Sequence, residues 1–284
     1  MTLAARFARP PIVVAPGVYD ALTAALATDA GAEALYLTGA GIAYTRLGRP
    51  DIGLVSMNEV VDVVSLIRDR VDTPLIVDAD TGWGNALNVI RTVRMLERAG
   101  ATAIQLEDQS FPKRCGHLAE KRLIPAAEMA GKVRAAADAR RSRDTLIIAR
   151  TDAIAVEGFE AAIARARLYA EAGADMLFVE APGGGQLGEI PRALGGVLPL
   201  MANMVEGGKT PVKSAHELAA MGFALVIFPG AVVRMLLPAV SDLYRAIVDE
   251  GTSDPVRHRM LDFEALNLTL GTADILAHGK KYEG

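Results

Sequence analysis

Residues 98–109 read RAGATAIQLEDQ. A charged, Ala-rich segment ends at a glycine where a helix C-cap belongs. A short apolar run follows, and it stops abruptly on two carboxylates, Glu107 and Asp108. The same junction recurs as DAGAE at 29–33 and EAGAD at 171–175, each before another apolar run. Three copies of one helix-to-strand junction indicate a serial β-α unit.

The runs number eight: PIVVAPG (11–17), ALYLTGAG (34–41), PLIVDAD (74–80), AIQLEDQ (103–109), TLIIARTD (145–152), MLFVEAP (176–182), PLMANMV (199–205) and ALVIFPG (224–230). Being apolar on both faces, they read as buried parallel strands. Segments with helical spacing lie between most of them, at 20–30, 58–70, 86–99, 125–141, 159–172 and 213–221. Eight units predict an α/β fold of the (β/α)8 TIM barrel type, one barrel domain over 1–284, rather than an open doubly wound sheet. GAGIAYTRLG at 39–48 lacks the dinucleotide-binding glycine spacing. Residues 231–250 are expected as the eighth helix, and 231–284 together as an extension making oligomer contacts.

Composition narrows the function. The chain has 284 residues, 51% of them hydrophobic, a net charge of −4 and one cysteine. Acids and bases are mixed along it, so no nucleic-acid stripe or polybasic membrane patch is expected. The stretch 222–240 is apolar but broken by Pro229, Gly230, Arg234 and Pro238, which reads as a strand and a helix rather than a membrane span. No apolar run near the N-terminus suits a signal peptide. A single cysteine makes no internal disulfide, which fits a reducing cytoplasmic setting.

Barrel chemistry sits at the C-terminal strand ends, and there the sequence turns polar. The ends carry Tyr36, Thr38 and Gly39; Asp78 and Asp80; Glu107 and Asp108; Arg150 and Asp152; Glu180; and Asn203. So many carboxylates in one mouth raise each other's pKa unless a cation sits among them. Hard oxygen donors without a His or Cys cluster favour Mg²⁺ or Mn²⁺ over Zn²⁺. DADTGWGN (78–85) sharpens this, since Asp78 and Asp80 share one strand face and two glycines follow in a turn. Arg150 and Arg234 suit substrate carboxylates, or pairing with nearby acids. GGG at 183–185 reads as the turn after strand 6, with phosphate binding as the alternative.

The sole cysteine lies in KRCGH (113–117), within the long polar loop 109–124. Lys113, Arg114 and His117 around Cys115 are expected to favour a thiolate, and Gly116 to let the backbone approach a ligand. A long loop at a barrel mouth is also a candidate lid.

YLTGAG, PDIGL, DADTGWGN, QLEDQ, KRCGH, ARTDA and ANMVEGGKTP resemble, in order over about residues 10–250, the isocitrate lyase / phosphoenolpyruvate mutase superfamily. KRCGH resembles its carbon–carbon lyase branch. The resemblance implies a barrel whose last helix is exchanged between paired subunits of a homotetramer. It implies Mg²⁺ held by Asp78 and Asp80, with Asp51 and Glu107 as outer ligands through water. Thr38, Gly39 and Ala40 fall where a substrate carboxylate binds, and Gly116, Arg150, Glu180, Asn203 and Arg234 on further substrate positions. Cys115 falls on the catalytic acid. The proton-accepting base is Tyr36 or a water held by Glu107 or Glu180.

The reaction implied is cleavage of a 2-hydroxy dicarboxylate or tricarboxylate to a 2-keto acid and a carboxylate. Asn203-Met204-Val205 and Thr38-Gly39-Ala40 stand where 2-methylisocitrate lyases carry Asn-Ile-Thr and Ser-Gly-Gly. Val205 cannot supply the hydroxyl that helps hold a third carboxylate there. Met204, Val205 and Phe228 are therefore expected to form an alkyl-binding pocket. The rival readings are an oxaloacetate decarboxylase or hydrolase, a phosphonate enzyme, and a barrel kept as a binding scaffold.

Overall fold

The computed structural model describes residues 1–283. The strands β1 (Val13–Val18), β2 (Leu35–Leu37), β3 (Leu75–Asp78), β4 (Ala103–Glu107), β5 (Leu146–Thr151), β6 (Met176–Val179), β7 (Leu200–Asn203) and β8 (Leu225–Phe228) form a closed barrel in chain order. Every pairing is parallel, and β8 returns to β1. The eight sequence runs are these eight strands, and the (β/α)8 fold is as expected.

Helices α1 (Leu3–Phe7) and α2 (Ala21–Asp29) flank β1; α3 (Gly39–Ile42) and α4 (Met57–Arg70) follow β2. The next crossovers are α5 (Ala86–Ala99), α6 (Ala126–Ala139), α7 (Phe159–Glu171), α8 (Gly184–Leu194) and α9 (Ala215–Met221). The repeated junction has one physical cause. Gly100 caps α5 at φ 105° and donates to the Leu96 and Glu97 carbonyls. Gly31 and Gly173 take the same left-handed conformation, at φ 88° and 106°.

Two segments differ from the sequence expectation. The run ALYLTGAG leaves the strand after Leu37 and turns into α3, because Thr38 caps that turn by accepting from Gly41 N–H at 3.1 Å. GGG does not merely turn the chain, since Gly184 and Gly185 open α8. Two glycines and Pro191 hide this helix from propensity, but Leu187, Ile190 and Leu194 form a buried stripe at helical spacing.

Strand alternation sets the site. Val13, Ile76, Ala103, Ile148, Phe178, Met201 and Ile227 point into the barrel, while Val77, Ile104, Ile147, Leu177 and Val226 pack outward on the helices. Full burial of each large apolar side chain contributes about 1.5–3 kcal/mol. Continued at a period of two, the inward register brings Thr38, Asp78, Asp80, Glu107, Arg150, Asp152, Glu180 and Asn203 to the mouth.

The chain divides into two compact units, Met1–Val233 and Arg234–Gly284, with all eight strands in the first. The second contains most of α10 (Ala231–Glu250), then α11 (Phe263–Leu270) and α12 (Thr272–Gly279). Within it, Arg259 Nη1 pairs with Asp242 Oδ2 at 2.9 Å.

Candidate active site

Asp78 and Asp80 end β3 and its turn, with Asp80 in a left-handed conformation at φ 47°. This is uncommon for a non-glycine residue and concentrates at functional sites. Lys113 reaches over from the loop after β4, placing Nζ 2.6 Å from Asp51 Oδ1 and 2.7 Å from Asp80 Oδ1. Burial pushes the Asp80 carboxyl up to about 7 against the pull of Lys113, with Asp78 and Asp51 adding to the rise.

Three observations test this cluster against a hard divalent cation. Its donors are carboxylate oxygens. Asp80 Oδ1 and both Glu107 oxygens are buried and accept no well-aligned hydrogen bond, although cationic nitrogens stand near them. A Cβ on Gly39 would lie 3.3 Å from Asp78 Oδ2 and 3.4 Å from Asp80 Oδ1, so the missing side chain keeps open the space these oxygens face. Among the described residues no three carboxylate, imidazole or thiolate groups converge tightly enough to hold an ion by themselves.

Arg150 is the second organising group. Its guanidinium lies 3.1 Å from Glu107 Oε2 and 3.8 Å from Glu180 Oε1, and it donates to Asp152 at 2.8 and 3.0 Å. Against the cost of burial, Asp152, Glu107 and Glu180 hold its pKa well above the ordinary value. Phe178 underlies it, with the ring centroid 5.3 Å from Cζ. Asn203 Nδ2 donates to both Glu180 oxygens, at 3.2 and 3.1 Å.

Tyr36, one of the candidate bases, is engaged in a hydrogen-bonded chain that runs to Asp78. Its hydroxyl donates to Gln105 Oε1 at 2.9 Å, and Gln105 Nε2 donates to Asp78 Oδ1 at 3.1 Å. Burial, then Asp78, push the phenol well above its ordinary pKa. The ring sits among the apolar side chains filling the barrel. Tyr36 and Gln105 thus orient Asp78 from below. Gln105 escaped the sequence reading, although a glutamine inside the otherwise apolar β4 was a visible signal.

The loop after β4 seats its tip over this cluster. Cys115 N–H donates to the Asp51 carbonyl at 3.1 Å. The expected thiolate is corrected here. Burial pushes the Cys115 thiol up, partly offset by the His117 backbone N–H. Lys113 is committed to Asp51 and Asp80, and Arg114 pairs outward with Glu120 at 2.8 Å. Burial pushes the His117 pKa down, against the pull of Glu180. Its Nδ1 accepts from Lys209 N–H at 3.1 Å and its Nε2 stands 3.4 Å from Glu180, so it ties this loop to the one after β7. The surroundings favour a protonated thiol.

Gly116 is seated closest of all. A Cβ there would overlap Glu180 Oε1 and lie 2.6 Å from both Arg150 Nη2 and Glu180 Cγ. Those side chains are locked by the ion pairs above and cannot swing aside. Gly116→Ala is therefore expected to hold the loop off the mouth and lower kcat by about 10²-fold, the cost of misplacing a catalytic group by about 1 Å. The unfolding midpoint should be unchanged. Steady-state kinetics beside a thermal melt check this.

Other expectations fall elsewhere. Asp108 faces outward, accepting from Thr151 at 2.7 Å, Tyr169 at 2.8 Å and the Asp152 backbone at 2.9 Å, so it supports β5 instead of joining the mouth. Of the expected alkyl pocket, Met204 and Phe228 pack in the outer layer between sheet and helices, leaving Val205 alone on the inward register. Thr38, Gly39 and Ala40 lie at the end of β2 and the start of α3. Arg234 lies in α10 and opens the second unit.

A parallel barrel whose mouth carries carboxylates, an arginine and a loop-borne cysteine defines an α/β-barrel enzyme. Residues 3–248 match the family model for phosphoenolpyruvate phosphomutase, and the chain belongs to that family. It is 42% identical to a 2,3-dimethylmalate lyase of Eubacterium barkeri over 265 residues, 93% of this chain and 91% of that one. It is 49% identical to a 2-methylisocitrate lyase of Aeropyrum pernix, covering 88% and 80% of the two chains. A crystal structure of 2,3-dimethylmalate lyase, described as a PEP mutase/isocitrate lyase superfamily member, superposes with a TM-score of 0.92 at 36% identity, covering 99% of this chain and 94% of that one.

Proposed function

We propose that this enzyme is a carbon–carbon lyase that cleaves a 2-hydroxy dicarboxylate, in the first place an alkyl-substituted malate, to a 2-keto acid and a carboxylate. The observation that carries the reading is Cys115, a half-buried thiol held by its backbone on a loop seated over the acid cluster, in surroundings that push its pKa up. Migration of a phosphoryl group between carbon and oxygen does not call for such an acid, whereas decarboxylation or hydrolysis of oxaloacetate also leaves an enolate to protonate, and the substrates below separate those readings.

Asp78 and Asp80 would hold Mg²⁺ directly, with Asp51 and Glu107 through water. Bound there, the ion supplies Lewis-acid polarisation of the 2-hydroxy carboxylate and lowers the hydroxyl pKa. Gly39 and Ala40, with Thr38, receive one substrate carboxylate. Arg150 serves the other, while Glu180 and Asn203 orient the substrate. A water held by Glu107 or Glu180 takes the hydroxyl proton. As the C2–C3 bond breaks, its electron pair passes to C3 and its carboxylate, giving an enediolate-like dianion that Arg150 stabilises. The C2 oxygen becomes a keto group, and the Cys115 proton goes to C3. Lys113 keeps Asp51 and Asp80 compensated, and His117 holds the loop closed.

Val205 on the inward register presents an apolar face, so a methyl substituent suits the pocket better than a third carboxylate. The test is keto-acid release in the presence of Mg²⁺ from malate, 2-methylmalate, 2,3-dimethylmalate, isocitrate, 2-methylisocitrate, oxaloacetate and phosphonopyruvate. Release from a substituted malate supports the reading. Turnover of oxaloacetate or phosphonopyruvate alone contradicts it.

No helix among the described residues is long and apolar enough to cross a membrane, and a working free thiol suits the cytoplasm. The assembly we propose is a homotetramer of paired subunits exchanging α10. The first unit bears an apolar groove of about 640 Å³ lined by Ile12, Val14, Pro16, Ala27, Ala30 and Ala219. In α10, Met235, Leu237 and Val248 are 76%, 60% and 80% exposed. Sedimentation equilibrium is expected to give four times the chain mass, and Leu237→Glu to give smaller species with unchanged helix content. A monomeric wild type would refute the exchange.

A further inference from the structure

The loop carrying Cys115 has a stem and a tip. The stem is pinned by backbone, with Gln109 bridging Leu123 and Ser110 N–H donating to the Arg122 carbonyl at 2.8 Å. Besides the Cys115 N–H bond to the Asp51 carbonyl, the tip is held by side chains, and one of them comes from the loop itself. The Lys121 side chain is 1% exposed. Its ammonium donates to the Gly116 carbonyl at 2.6 Å and to Asp152 Oδ1 at 2.8 Å. Asp152 in turn accepts the Arg150 fork at 2.8 and 3.0 Å.

One buried cation thus joins the peptide next to the thiol, through one barrel carboxylate, to the arginine of the mouth. Lifting the tip would strand that ammonium or pull it from Asp152, at a cost typical of charge-assisted bonds. The mechanism above leaves Lys121 without a task, and nothing in a polar loop sequence distinguished it from a solvated lysine.

We propose that Lys121 is a positioning residue: it latches the thiol-bearing tip onto the barrel and, through Asp152, sets Cys115 and Arg150 in register. The catalytic part of this proposal rests on the lyase reading; the latch itself does not.

Cys115 is the only cysteine and is half-buried with the tip seated, so the change in its rate of alkylation by iodoacetamide from wild type to variant, in the substrate-free protein, reports how tightly the tip is held. Lys121→Met is expected to speed alkylation by about tenfold or more, the effect of losing a hydrogen bond to a charged group. Lys121→Arg, which retains a cation, should fall between it and wild type. Asp152→Asn should also speed alkylation, and adding it to Lys121→Met should have little further effect, because both break one link. With a cleaved malate as substrate, Lys121→Met should lower kcat more than it changes KM, which a purely structural lysine would not do. Alkylation at the wild-type rate in both Lys121→Met and Asp152→Asn would overturn the latch even if malate cleavage is confirmed. Faster alkylation would support the latch even if no malate is cleaved, in which case only the lyase reading fails.

Discussion

Cys115→Ser is expected to cleave 2,3-dimethylmalate about 10²–10⁴-fold more slowly than wild type, the usual contribution of a positioned general acid. The argument starts from the thiol's surroundings. Half-buried, with the Asp51 and Glu180 charges adding to the effect of burial, Cys115 is biased towards its protonated form. A thiol in that state is poorly suited to nucleophilic attack, which needs the thiolate, but well suited to donate one proton per turnover. Serine is close in size and keeps the backbone contact to Asp51, yet its hydroxyl is a far weaker acid. The loss should therefore appear in kcat and kcat/KM together, with KM little changed, as when an interaction is made mainly in the transition state. Steady-state kinetics with both proteins checks it. Equal rates would mean that the proton comes from elsewhere.

The second large effect is on stability. Arg150→Met is expected to destabilise the fold by about 3–5 kcal/mol, the cost of removing one partner from a buried ion pair. Arg150 is the cation nearest Glu107 Oε2, holds Asp152 through two hydrogen bonds, and stands within 3.8 Å of Glu180. Methionine replaces much of the aliphatic length and contact with Phe178 but leaves buried carboxylates short of charge. Urea titration of the two proteins gives the difference from the midpoints and slopes. A change below about 1 kcal/mol would mean that the carboxylates are compensated without Arg150, since surface-like pairs are worth no more than that.

The barrel was legible because its information is local and repeated. A glycine cap, a β-branched run and a polar strand end recur often enough to reveal the unit. The inward polar set was also legible, since a period of two fixes which strand-end residues face the mouth. Where that period was not followed, the reading failed. Asp108 follows Glu107 directly and so points the other way, and Met204 and Phe228 lie on the outward register.

The loop was harder. KRCGH marked it as chemical, but adjacent cations suggested a thiolate. In the fold, Lys113 is drawn away by Asp51 and Asp80 while burial acts on the thiol itself. Tyr36 likewise reads from the sequence as a strand-end phenol, but its hydroxyl donates a hydrogen bond to Gln105, 69 residues away in sequence. Lys121 gave no signal, because a loop lysine becomes a buried bridge only through Asp152, 31 residues further on. Residues whose partners are distant in sequence carry meaning that local pattern does not encode.

The most direct test of the lyase account is cleavage of 2,3-dimethylmalate in D₂O, followed by proton and carbon NMR of the products. The account predicts pyruvate together with propionate carrying one deuteron on the carbon that was C3, formed by wild type and barely by Cys115→Ser. Intact substrate under conditions where oxaloacetate or phosphonopyruvate is consumed would contradict it.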